Sequence, residues 1–168
     1  MKKLIILSSV LFLFTLVAQG QTVFEAKAPT GTSSILDFAT GTAKGIILPA
    51  VESLPISPAN GTFLVDKTDQ KVKMYQNGIW VELSAGGNTS TIVPYSGTVD
   101  NGKQTIIGSR TTSVDGVLVL ESANKALVLP KVASPHLNVK SPYPGMICYD
   151  TTAKALAVFD GNAWNYWK

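Results

Sequence analysis

The sequence predicts an all-β protein of two repeated small β-meander units, with three to five strands each, joined by a Gly/Ser/Thr-rich segment. Three observations carry that prediction. No long stretch has the 3.6-residue apolar period of an amphipathic helix, whereas "KVKMYQ" (71–76) alternates strictly, as a strand exposed on one side must. Asn77-Gly78 follows it, and that dipeptide is the strongest short-range signal for a two-residue hairpin, because a type I′ turn needs positive φ at both central positions. Finally, "MYQNGIW" (74–80) is echoed by "VFDGNAW" (158–164) near the end of the chain.

The echo is part of a longer repeat. Leu48-Pro49 and Val51 match Leu129-Pro130 and Val132; after a three-residue insertion, Gly61, Asp66, Thr68 and Trp80 match Gly145, Asp150, Thr152 and Trp164. Upstream, "SILDF" corresponds loosely to "GVLVL". The chain therefore divides into a leader (1–20), an N-terminal arm (21–32), β unit 1 (33–84), a linker (85–114) and β unit 2 (115–168).

The leader reads as a secretory signal. Lys2 and Lys3 precede an apolar run from Leu4 to Val17, and Ala18 and Gly20 are small residues at the −3 and −1 positions of a cleavage site. The run is shorter than the roughly 20 apolar residues of a spanning helix, so the expectation is export to the periplasm, the cell surface or the medium, with no membrane attachment after cleavage.

Each unit opens with one or two short strands ("ILDF" and "GIILP"; "VLVLE" and "ALVLP"), the second closed by a Pro that cannot donate to a ladder. A Pro-rich loop follows, "ESLPISPAN" in unit 1 and the longer "ASPHLNVKSPYP" in unit 2, either with room for a helical turn. Each unit then closes in a three-stranded meander, "TFLVD", "KVKMYQ", "IWVEL" and "MICYD", "ALAVFD", "WNYW". The Asn77-Gly78 turn sets Tyr75 opposite Trp80 and Lys73 opposite Glu82 on one face, with Val72, Met74, Ile79, Val81 and Leu83 on the other. The linker opens flexibly with "AGGNTST"; a strand is expected in its second half, and a hairpin around Asp100-Asn101-Gly102 is the alternative.

Composition narrows the function classes. The full chain carries 14 basic and 11 acidic residues. Without Lys2 and Lys3 the mature chain is near +1, and Arg110 is its one arginine, so it lacks the basic footprint of a nucleic-acid partner. Cys148 is the only cysteine and sits in an alternating run, as a core residue does. His136 is the only histidine; it has no HExxH or CxxC context, and no GxSxG, P-loop or GxGxxG is present. Asp66, Asp69, Asp150 and Asp160 fall at turns, where aspartates bond their own backbone. No catalytic residue, cofactor or metal ligand is assigned.

The aromatic residues are the stronger lead. Tyr75 and Trp80, and Phe159, Trp164 and Tyr166, are expected on outer faces, where they either pack against neighbouring strands or a second subunit or stack on sugar rings. Thr151, in "DTT", fits a short O-glycosylation pattern of some Bacteroidetes-type secreted proteins.

The strings "GIILPAV…SPANGTFLVDKTDQKVKMYQNGIWVEL" and "LVLPKV…YPGMICYDTTAKALAVFDGNAW" resemble a module of phage tail-fibre and tail-spike proteins and of secreted Bacteroidetes-type surface proteins. That module runs G-x-x-L-P-x-V, then G with three apolar residues and Y-D-T, then Y-x-G-x-W. The module usually has a basic residue after the Pro and a Tyr before the Asp; unit 2 keeps both, at Lys131 and Tyr149, and unit 1 departs at Ala50 and Val65. The resemblance implies a fibrous, often trimeric, surface-exposed assembly with no enzymatic activity. The expected function is thus a secreted structural or adhesive protein that self-associates, with surface glycans or other surface proteins as further partners. The alternatives are a carbohydrate-binding module and a small secreted enzyme.

Overall fold

A computed structural model describes residues 21–93 and 104–168. The leader and the turn at Asp100-Asn101-Gly102 lie outside the described residues. In chain order the strands are β1 (Thr22–Phe24), β2 (Ser34–Phe38), β3 (Ile46–Ile47), β4 (Ala50–Val51), β5 (Phe63–Asp66), β6 (Lys71–Gln76) and β7 (Ile79–Glu82) in the first half. The second half has β8 (Thr105–Ile107), β9 (Leu118–Leu120), β10 (Ala126–Leu127), β11 (Lys131–Val132), β12 (Met146–Asp150), β13 (Ala155–Phe159) and β14 (Trp164–Trp167). One helical turn, α1 (Pro135–Asn138), occupies the longer Pro-rich loop, started by Pro135, whose missing N–H is no loss at a helix start. The all-β prediction holds.

Local chemistry explains the meanders. Asn77 (φ 51°) and Gly78 (φ 82°) supply the two positive φ values of the hairpin turn, and the register sets Tyr75 opposite Trp80, Met74 opposite Val81 and Lys73 opposite Glu82. The expected Lys73–Glu82 charge pair does not form. Lys73 turns to Asp66 (2.7 Å) and Asp69 (2.6 Å), while Glu82 takes Lys71 (2.8 Å). The reason is position: Asp66 ends β5 on the other side of β6 from Glu82 and is as buried as Lys73, so the lysine pairs with the carboxylate that most needs a cation.

The two halves have the same strand pairs, register for register. β4 lies parallel to β5 with Ala50 opposite Val65, and β11 lies parallel to β12 with Lys131 opposite Tyr149. The backbone bonds correspond: Val65 N–H to Pro49 O and Tyr149 N–H to Pro130 O, both 2.9 Å; Gly61 N–H to Tyr75 O (2.8 Å) and Gly145 N–H to Phe159 O (2.7 Å). The correspondence extends upstream of "SILDF". β1 runs parallel to β2, Thr22 opposite Leu36; β8 runs parallel to β9, Thr105 opposite Leu118. The arm and the second half of the linker thus each contribute a strand to the half that follows.

The halves are also stitched together by two strand exchanges. β3 of the first half pairs antiparallel with β12 of the second, Ile47 opposite Met146. β10 of the second half pairs parallel with β2 of the first. Between them lies a shared core in which Val65, Val72 and Leu83 meet Ile147 and Val158. A smaller cluster, Val132, Cys148 and Ala157, fills the opposite side of the second meander.

Candidate functional site

Tyr75 and Trp80 stand on the outer face of the first meander, half-buried, with ring centroids 5.2 Å apart at 61°. Phe159 and Trp164 occupy the equivalent positions in the second, 5.4 Å apart and tilted at 47°. These are cross-strand aromatic pairs in near edge-to-face contact, a geometry that stabilises a ladder by mutual packing. Tyr166 is exposed, and its hydroxyl lies 3.1 Å from His136 Nδ1 across from α1. Burial pushes the Tyr166 phenol up, with the charge of Asp150 adding to it. The structure therefore brings Phe159 and Trp164 together and gives Tyr166 a different partner, His136, which sequence spacing alone could not reveal. Thr151 is exposed where β12 ends.

The turn aspartates act on their own backbones. Asp150 accepts from the N–H groups of Ser134, Thr152 and Ala153, and Asp160 from those of Asn162 and Ala163. Burial alone would raise the Asp150 carboxyl, but those three donors outweigh it and hold its pKa below the ordinary value. Asp66 has the same balance, with burial opposed by hydrogen bonds from Lys73 and Thr68. Asp37 on β2 does too, with the Thr30 hydroxyl and N–H and the Phe38 N–H as donors. Each is a structural carboxylate saturated by donors. Burial lifts the Cys148 thiol to about 12, with Asp150 adding to the shift, which leaves it without thiolate character at neutral pH. No group of three or more His, Cys, Asp or Glu residues suited to a metal ion occurs among the described residues. No described helix is long and apolar enough to cross a membrane.

What remains unexplained by the single chain is a set of apolar residues at strand edges. Ile47 on β3, Val117 and Leu118 at β9 and Leu127 on β10 are all exposed. The same contrast appears on the core face. Val65 and Leu83 are 1 % and 2 % exposed, because the second half covers them; Trp167 Nε1–H even donates to Leu83 O at 2.8 Å. Their equivalents in the second half, Tyr149 and Trp167, are 37 % and 42 % exposed. Hence the two halves bury their core faces against each other through Val65, Val72, Leu83, Ile147 and Val158, and the far end of the second half's face, at Tyr149 and Trp167, is left exposed. A groove of about 320 Å³ is lined by Pro55, Ile56, Ser57, Pro58, Thr62 and Asp115.

Residues 106–168 match the family model of a phage tail-like trimerisation region. The match spans β9 to β14 and most of β8, the half that exposes Tyr149, Trp167 and Leu118. It supports a tail-fibre-like, self-associating module. No curated protein and no solved structure matches the chain.

Proposed function

We propose that this chain is a secreted, non-enzymatic structural component of a trimeric, tail-fibre-like surface assembly. The observation that carries the reading is the trimerisation-region match over 106–168. The physical context supports it: the matched half leaves Tyr149, Trp167 and the Leu118 edge exposed, and exposed apolar surface of this kind marks an interface. A structural role also accords with the turn carboxylates Asp66, Asp150 and Asp160, which are hydrogen-bonded to their own turns or to Lys73, and with the protonated Cys148 thiol.

Export through the leader and an adhesive role at the cell surface are the finer parts of the proposal, with Thr151 as an accessible O-glycosylation position. Three measurements test the proposal. Bifunctional amine cross-linking of dilute purified protein should trap a three-chain species, and a ladder without preference for three would count against the trimer. Fractionation of the expressing bacterium should place the cleaved chain outside the cytoplasm; uncleaved chain in the cytosol would refute export. Glycan adhesion through the outer aromatic faces predicts that Trp80→Ala and Trp164→Ala abolish binding on a glycan array, and binding unchanged by both would exclude those faces.

A further inference from the structure

The two strand exchanges that join the halves of one chain leave identical exchanges unfilled at its ends, and we infer that neighbouring copies fill them. β3 of a second copy lies along the open edge of β9, and β10 of the first lies along Thr62–Phe63 of the second. This inference rests on the self-association proposed above and specifies the surfaces that carry it.

β3 and β10 occupy the same place in the repeat, with Ile47 equivalent to Val128 and Leu48 to Leu129. Yet they use opposite edges. Leu48 N–H donates to Gly145 O of the second half (3.0 Å), whereas Val128 N–H donates to Leu36 O of the first (2.9 Å). Alternate amides of a strand point to opposite sides, so each of these strands is built to bridge two neighbours and has only one among the described residues. Their missing partners are open as well. β2 carries β1 on one edge and β10 on the other, while β9 carries β8 alone among the described residues. β12 is flanked at Met146–Ile147 by β3, while the equivalent Thr62–Phe63 segment has no strand on that side among the described residues.

Side chains fit the same scheme. Leu118, which would receive the incoming strand as Leu36 receives β10, is 46 % exposed, whereas Leu36 is buried. Tyr149 and Trp167 on the adjoining face are exposed where Val65 and Leu83 are covered. Exposed edges pair with whatever strand matches them, and the strand that matches here is the chain's own. The contact is heterologous, so it must either close into a ring or propagate; three copies close it.

A cysteine pair tests the register. Ile47 and Met146 form a non-hydrogen-bonded antiparallel pair, a position with Cα atoms about 4.5 Å apart and within disulfide range. Their equivalents across the inferred contact are Val128 of one copy and Thr62 of the next. Oxidised Thr62→Cys/Val128→Cys protein should run as covalently linked chains up to three on a non-reducing gel, while each single variant stays unlinked. Adding Leu118→Pro, which removes an N–H aimed at the open edge and spares the β8–β9 ladder, should abolish linking with the circular dichroism spectrum unchanged. A three-chain mass in solution with no linked species would overturn the strand pairing and leave the trimer standing. A one-chain mass for the unsubstituted protein would overturn both.

Discussion

Replacing Lys73 with Met removes the cation from a site that holds two carboxylates. Lys73 Nζ lies 2.7 Å from Asp66 and 2.6 Å from Asp69, and the side chains of Lys73 and Asp66 are both more than nine-tenths buried. Removing one partner of a buried pair costs about 3–5 kcal/mol. Asp66 keeps the N–H of Thr68 (2.8 Å) and Asp69 is partly open to water, so the lower end, about 3 kcal/mol, applies. The second half offers a control within the same fold. Ala157 stands where Lys73 does, and Asp150 is satisfied by three backbone donors without a cation. The penalty also has a defined pH dependence. The Asp66 carboxyl is held below its ordinary pKa, so its contribution is present above about pH 4 and is lost as pH falls through the lower folded value. Urea unfolding should therefore show Lys73→Met less stable by about 3 kcal/mol at pH 7, with the two proteins converging below pH 4. Lys73→Met/Asp66→Asn should recover part of the loss at pH 7. A penalty under about 1 kcal/mol at pH 7, or one that persists unchanged at pH 3, would refute the reasoning.

Three other outcomes follow from the junction between the halves and from the core. Gly145 has φ +84° and a Cβ there would meet Val65 Cγ2, so Gly145→Ala should lose about 2–4 kcal/mol of stability in urea, combining left-handed strain with overpacking. Trp167→Phe removes the indole N–H donated to Leu83 O and should lower the urea midpoint by the equivalent of about 1 kcal/mol; an unchanged midpoint would contradict a stabilising role for that bond. Cys148, fully buried with its thiol lifted to about 12, should resist a disulfide reagent at pH 8 in folded protein and react at once in guanidinium.

The meanders were legible because their signals are local. Alternation in "KVKMYQ" and the Asn-Gly turn set the register of β6 and β7 before any tertiary contact is known, and the aspartates announce the turns they cap. The partner of Lys73 was not legible, because Asp66 and Glu82 flank it on opposite strands and only burial decides between them. The short strands were legible as strands but not in their pairing. β3 and β10 have two residues each and the same apolar character, so nothing in "GIILP" or "ALVLP" says that one joins β12 and the other β2. β1 and β8 carry only three residues of pattern, and their role as parallel partners of β2 and β9 emerges from the fold. At the aromatic faces, spacing predicted the Tyr75–Trp80 and Phe159–Trp164 pairs, whereas the contact of Tyr166 with His136 depends on where α1 lands.

The proposed trimer is held by contacts between the second half of one chain and the first half of the next. Light scattering on purified protein eluting from a size-exclusion column tests it most directly. The expected result is a mass of three chains that persists on dilution and falls to one chain with Leu118→Pro. A monomeric mass for the unsubstituted protein at every concentration would contradict it.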